Sequence, residues 1–165
     1  MKVAFVGLGV MGYPMAGYLQ GAGHDVAVFN RTRSKAEAWS EAHGGAVART
    51  PRDAAAGAQI TFCCVGNDDD VREVILGDDG ILAGAGAGSV VVDHTTASAT
   101  IAREIHQEAT QRSVGFLDAP VSGGQAGAEN GQLTVMVGGD ADVFERAVPV
   151  IDCFAKAVTH IGPAG

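Results

Sequence analysis

Val3-Ala4-Phe5-Val6-Gly7-Leu8-Gly9-Val10-Met11-Gly12 carries an apolar, strand-like run straight into three glycines. Each glycine has its own reason to be there. The first permits a tight strand-to-helix turn, the second lets backbone approach a pyrophosphate, and the third lets the following helix pack closely on the strand. Phosphate then meets the free N–H groups of the helix N-terminus. The six-residue pattern by itself is weak in a chain with 24 glycines. Its position between an apolar run and a helical one makes it a dinucleotide-binding fingerprint.

Outward from this turn, apolar β-rich runs alternate with alanine-rich helical stretches, the pattern of βαβ units and a parallel sheet. Strands are expected at about 2–6, 25–29, 60–65, 89–93, 115–118 and 133–138, with a further one near 157–161. Most are continuous apolar runs, as strands covered on both faces should be. Helices are expected at about 11–22, 34–43, 68–76, 98–112 and 140–153, opened by Ser34, Asp68, Ser98 and Asp140 as N-caps. Gly84-Ala85-Gly86-Ala87-Gly88 precedes a strand instead of following one, so it reads as a flexible connection and not as a second phosphate loop. The fold class is α/β: a doubly wound, mostly parallel Rossmann-type sheet with helices on both faces, formed by residues 1–165 as one domain.

Composition fits this class. The chain has 165 residues, 47% apolar and 18% charged, enough to bury roughly two thirds of its unfolded surface without staples. A net charge of −8 with only 11 scattered Lys and Arg argues against a nucleic-acid partner. No apolar run approaches the roughly 20 residues that span a bilayer. Cys63, Cys64 and Cys153 form neither a CxxC pair nor a metal-ligand spacing and read as buried free thiols. An odd cysteine count and a chain that starts directly with a strand point to the cytoplasm.

Four loops carry the chemistry. The second strand ends at Asn30-Arg31-Thr32, 18 positions after Gly12, where an NAD-specific domain would present a ribose-binding acid. Arg31 can instead hold a 2′-phosphate bidentately, with Asn30 and Thr32 as donors, so NADP fits better than NAD. The next strand run ends at Cys64-Val65-Gly66-Asn67-Asp68-Asp69-Asp70; its consecutive carboxylates read as a helix start complementing the dipole, not as a metal site. Asp93-His94-Thr95-Thr96 follows the fourth strand, with the threonine hydroxyls placed to face a nicotinamide. His94 is a candidate proton donor because histidine ordinarily titrates near neutrality, but a lone histidine beside a strand end reads as structural. His24, His43, His106 and His160 have no evident carboxylate or cysteine partner. Finally, Asp118-Ala119-Pro120-Val121-Ser122-Gly123-Gly124 is a strand end running into a glycine turn and a short helix. There the Ser122 hydroxyl and the amides of Gly123 and Gly124 make a cradle suited to a carboxylate.

Together these residues resemble the β-hydroxyacid dehydrogenase family, which includes 3-hydroxyisobutyrate dehydrogenases, tartronate semialdehyde reductases and, more distantly, 6-phosphogluconate dehydrogenases. The resemblance rests on the glycine turn continuing to Met15-Ala16, on Asn30-Arg31-Thr32, on Asp93 with Thr95-Thr96, and on Asp118 to Gly124. Gly127-Ala128, Gly131-Gln132-Leu133 and Val137-Gly138-Gly139 extend it through the chain. It implies an enzyme passing hydride between NAD(P) and a short β-hydroxy acid or semialdehyde. Gly7, Leu8, Gly9, Val10, Met11, Gly12, Val65, Gly66, Asp70 and Thr96 would then join Asn30, Arg31 and Thr32 at the cofactor, and Ser122, Gly123 and Gly124 would hold the substrate carboxylate. Gly66 departs from the family, many of whose members carry proline there. The family's catalytic lysine has no counterpart in Lys2, Lys35 or Lys156 and is expected beyond Gly165. The helical domain that completes the substrate pocket and makes the homo-oligomer is expected there too. The alternatives are a non-catalytic NADP-binding sensor or scaffold module and an imine-reductase-like relative.

Overall fold

The computed structural model describes residues 1–165. Six strands run parallel: β1 (Lys2–Val6), β2 (Asp25–Phe29), β3 (Ala46–Val47), β4 (Ile60–Cys63), β5 (Val90–Asp93) and β6 (Gly115–Asp118), in the spatial order β3-β2-β1-β4-β5-β6. The order reverses between β1 and β4, which leaves a crevice at the carboxyl ends of these strands. Beyond β6 the sheet changes sense. β7 (Val121–Ser122) continues the line of β6, and both pair antiparallel with β8 (Leu133–Gly139), whose other edge takes β9 (Ala155–Gly162) in parallel.

The helices are α1 (Gly12–Gly21), α2 (Arg33–His43), α3 (Pro51–Ala55), α4 (Asp68–Leu76), α5 (Ile81–Gly84), α6 (Ala99–Gln111), α7 (Gly124–Glu129) and α8 (Ala141–Ile151). Strand alternation divides their cores. In β1, Val3 and Phe5 join a cluster with Met15, Leu19, Trp39 and Ile151, while Ala4 and Val6 join a second with Ile75, Ile81, Ile101 and Ile105. Both faces of β1 are therefore dry, which is why its sequence is continuously apolar. No helix is long and apolar enough to cross a membrane.

The long elements form where the apolar pattern placed them; the short ones lay below its reach. β3, α3, α5 and β7 have two to five residues each, too few to show a period. The glycine-rich connection is partly helical, because Gly84 lets α5 press against the Arg52 carbonyl of α3, where a Cβ would not fit. Two caps also differ. Thr32, not Ser34, holds the N-cap position of α2, without a side-chain bond, and α4 is capped by Asn67, whose side chain accepts from the Asp70 amide, and not by Asp68. Ser98 does cap α6, accepting from the Ile101 amide. Asp140 stands at the start of α8 without bonding its amides.

The tightest point is the glycine turn. Gly7 adopts φ +94°, a conformation that disfavours any side chain, and a Cβ on Gly12 would strike the Gly7 carbonyl and lie 2.9 Å from the Phe5 ring. At Gly9 no atom stands within 4 Å of a Cβ. Gly12→Ala is therefore expected to cost about 1–3 kcal/mol in urea unfolding followed by circular dichroism. Gly9→Ala should stay within about 0.5 kcal/mol of the unsubstituted chain.

Candidate functional site

A cleft of about 670 Å³ opens at the carboxyl ends of β1, β2 and β4. One wall is the glycine turn, through Gly7, Gly9, Val10, Met11 and Gly12; the floor is the end of β2, with Asn30, Arg31 and Thr32; the opposite wall is Val65, Gly66 and Asp70. The structure thus brings together in one cavity eleven residues selected from the sequence.

The turn is built to receive an anion. The Gly7 amide bonds Phe29 O (2.9 Å) and the Leu8 amide bonds Asn30 Oδ1 (2.8 Å). The amides of Gly9, Val10, Met11 and Gly12 take no partner in the chain and open onto the cleft at the positive end of α1. These free donors and the empty space over Gly9 fit a pyrophosphate. Leu8 lies elsewhere than expected: its side chain is buried in the core and its amide is already bonded, so it supports the turn from behind.

Asn30 also has a different part. Its oxygen accepts from Leu8 and its Nδ2 donates to the Thr32 carbonyl (3.0 Å), so it braces the glycine turn against the end of β2. Arg31 is the exposed cation of this turn. Its side chain is 87% exposed, and Nη1 stands 3.8 Å from Asp70 Oδ1 across the cleft, a contact too exposed to contribute much stability. The Thr32 hydroxyl makes no bond to α2.

Lys35, Pro51, Glu73, Asp78 and Asp79 also line the cleft and were not selected from the sequence. Lys35 was within reach of a sequence reading, four residues after Arg31 at the start of a helix. Pro51 was not, because it arrives on α3. The three aspartates diverge: Asp68 accepts from the Ser98 hydroxyl and amide, Asp69 pairs with Arg72, and Asp70 faces Arg31. No group of three or more His, Cys, Asp or Glu converges as metal ligands.

Beyond the cleft, the carboxyl ends of β5 and β6 stand side by side, with Asp93 paired to Asp118. Thr96 is exposed there, outside the cleft lining. The Ser122 hydroxyl and the Gly123 and Gly124 amides are without partners, and Gly123 reaches φ +130° to make the turn. Asp118 is occupied: its Oδ1 accepts from the Gly165 amide (3.0 Å), while Arg103 donates to the Gly165 carbonyl (2.9 Å).

His94 is fully buried. Its Nδ1 lies 2.7 Å from the Ala119 carbonyl and its Nε2 has no partner. Burial holds its pKa down to about 4, so the ring is neutral and no acid at neutral pH. Two other histidines do have the partners that the sequence did not reveal, His106 with Asp140 (3.4 Å) and His24 with Cys153 (3.8 Å), neither in the cleft. All three thiols are free, but only Cys63, the last residue of β4, is fully buried; Cys64 just after β4 and Cys153 just after α8 are half-buried. Burial, then the nearby Asp93 charge, raises the Cys64 thiol to about 12, which keeps it protonated.

Comparison with known proteins agrees with this geometry. Residues 2–162 match the family model described as the NAD-binding domain of 6-phosphogluconate dehydrogenase. The chain belongs to this family of NAD-binding domains. It is 58% identical over 164 residues to an uncharacterized oxidoreductase of Shewanella frigidimarina, covering 99% of this chain and 56% of that protein. It is 42% identical to the NAD-dependent L-serine dehydrogenase of Pseudomonas aeruginosa, covering 99% of this chain and 55% of that one. A structure of Mycobacterium tuberculosis 3-hydroxyisobutyrate dehydrogenase with L-serine superposes with a TM-score of 0.91 at 39% identity, covering 99% of this chain and 55% of that chain. The domain thus spans little more than half the length of these relatives.

The lowered pKa of His94 has a consequence for stability. Between about pH 6.5 and pH 4 the unfolded chain binds a proton at His94 that the folded chain does not, so stability rises with pH through this window. From pH 7 to pH 5 the domain should lose about 2 kcal/mol through this group. Urea titrations at the two pH values should show the loss shrinking by about that amount in His94→Phe.

Proposed function

We propose that this domain is the cofactor half of an NADP-dependent oxidoreductase that passes hydride between nicotinamide and a short β-hydroxy acid or its semialdehyde. The observation that carries the cofactor choice is Arg31. It stands two residues after β2 with no carboxylate neighbour in that turn, is largely exposed and held only loosely by Asp70, and has Lys35 on the same cleft. A 2′-phosphate would replace the single, weakly held charge of Asp70 with a stronger bidentate partner, and the Thr32 hydroxyl could add a bond. The relative from Pseudomonas aeruginosa is named for NAD, so the choice between cofactors turns on Arg31.

The residues of this chain bind and orient. The amides of Gly9 to Gly12 hold the pyrophosphate, Val65, Gly66 and Asp70 wall the cleft, and Thr96 meets the nicotinamide. Ser122 and the Gly123 and Gly124 amides take a substrate carboxylate. A nicotinamide bound there supplies the hydride chemistry. None of the lysines sits in the family's catalytic motif: Lys2 starts β1 at the opposite edge of the sheet, Lys35 lines the cleft beside Arg31, and Lys156 lies in β9. The family resemblance puts the proton-transfer lysine after Gly165, together with the helices that close the substrate pocket and form a homo-oligomer. Three unpaired thiols support a reducing, cytoplasmic setting.

Fluorescence titration should give NADPH the tighter binding, and Arg31→Ala should weaken NADPH about tenfold or more while changing NADH about twofold at most. Equal or tighter binding of NADH by the unsubstituted chain would refute the NADP assignment. An extended protein carrying the residues after Gly165 should oxidise at least one member of a panel of β-hydroxy acids, and lose that activity when the lysine on its next helix is replaced.

A further inference from the structure

We propose that the buried tripeptide Asp93-His94-Thr95 is a positioning element, holding the nicotinamide loop at Thr96 against the Val65-Gly66 cofactor loop on one side and the Ser122–Gly124 cradle on the other. The inference rests on the dinucleotide and carboxylate readings given above. Only five polar residues are buried in this domain, and these three consecutive ones are among them.

Their bonds run in two directions. Asp93 Oδ1 accepts from the Thr95 amide (2.9 Å) and from the Cys63 thiol at the end of β4 (3.4 Å). The Thr95 hydroxyl accepts from the Val65 amide (3.0 Å). This arm reaches only the cofactor loop. His94 reaches the other way, to the Ala119 carbonyl, which its Nδ1–H meets as donor to acceptor. Ala119 in turn donates its amide to the Asp93 carbonyl (2.7 Å) and leads through Pro120 into β7 and the cradle.

The imidazole is held in place. It stacks on Phe62 with centroids 5.8 Å apart at 8°, and meets Phe154 edge-on at 5.4 Å. Its Nε2 is left buried and unpaired, a cost that an apolar side chain of the same size would avoid. What the histidine returns for that cost is the single bond to Ala119, the residue that fixes where the cradle strand departs.

Thr95 and His94 therefore have separable effects. Thr95→Val should raise the NADPH dissociation constant about tenfold, with Thr95→Ser restoring it to within about twofold. It should leave amide exchange at Met136, which donates to the Pro120 carbonyl (3.1 Å), unchanged. His94→Phe keeps the aromatic stack and should leave NADPH binding within about twofold while speeding exchange at Met136 about tenfold; His94→Asn, which can again donate to Ala119, should recover protection. In the unsubstituted chain, nitrogen NMR of the ring should show the neutral tautomer protonated at Nδ1, a reading independent of whether either variant folds. An Nε2-protonated ring would overturn the proposal. So would variants that shift affinity and exchange together, in proportion to lost thermal stability. If the unsubstituted chain binds neither NADPH nor NADH, the function proposed above fails, while the tautomer and the exchange pattern still decide this inference.

Discussion

At Gly12 the first helix passes so close to the strand before it that no side chain can stand between them, and at Gly7 the backbone must turn with φ +94° against the Cys64 carbonyl. Everything in the cofactor cleft follows from this approach. It places the N-terminus of α1 over the carboxyl edge of the sheet, leaves four consecutive amides unbonded, and keeps the space over Gly9 open. Asn30 then locks the turn to β2, so the residue beside the cation also supports the anion cradle.

The sheet extends the same logic. Parallel strands covered on both faces deliver all their carboxyl ends to one edge, so the loops after β1, β2, β4, β5 and β6 converge however distant they are in sequence. Convergence alone does not fix the loops relative to one another. The buried polar bonds at the end of β5 link the strand ends on either side of it, in a region that is otherwise apolar. Inside the protein such bonds are stronger than at the surface and cost more when incomplete, and the unpaired Nε2 of His94 is where that cost remains.

Much of this was legible in the chain itself. Val3 to Val6 and Val90 to Val92 are read as strands because burial on both faces leaves a continuous apolar run, while Leu133 to Val137 alternates buried with half-buried positions. α6 is bounded by Ser98 because its hydroxyl caps a helix whatever the rest of the molecule does. α3 went unread although Thr50-Pro51-Arg52-Asp53 carries a cap and a proline start, because five residues cannot show a helical period. The antiparallel run of β6 and β7 along β8 was unreadable for another reason: strand sense depends on which partner is beside the strand, and that is settled by packing far along the chain.

For the site, the sequence by itself supplied the residue types: three glycines at the first strand-to-helix turn, Arg31 after the second strand in place of an acid, and Ser122 followed by two glycines after β6. These are local requirements, met within a few residues of chain. Which groups remain free was decided only by the tertiary structure. It bonded Leu8 and Asn30 to each other, turned Asp118 to the Gly165 amide, left Arg31 opposite Asp70, and buried His94 as a neutral ring bonded to Ala119. A polar side chain is available to a ligand only if no nearer group has taken its bonds, and that neighbour can stand anywhere in the sequence.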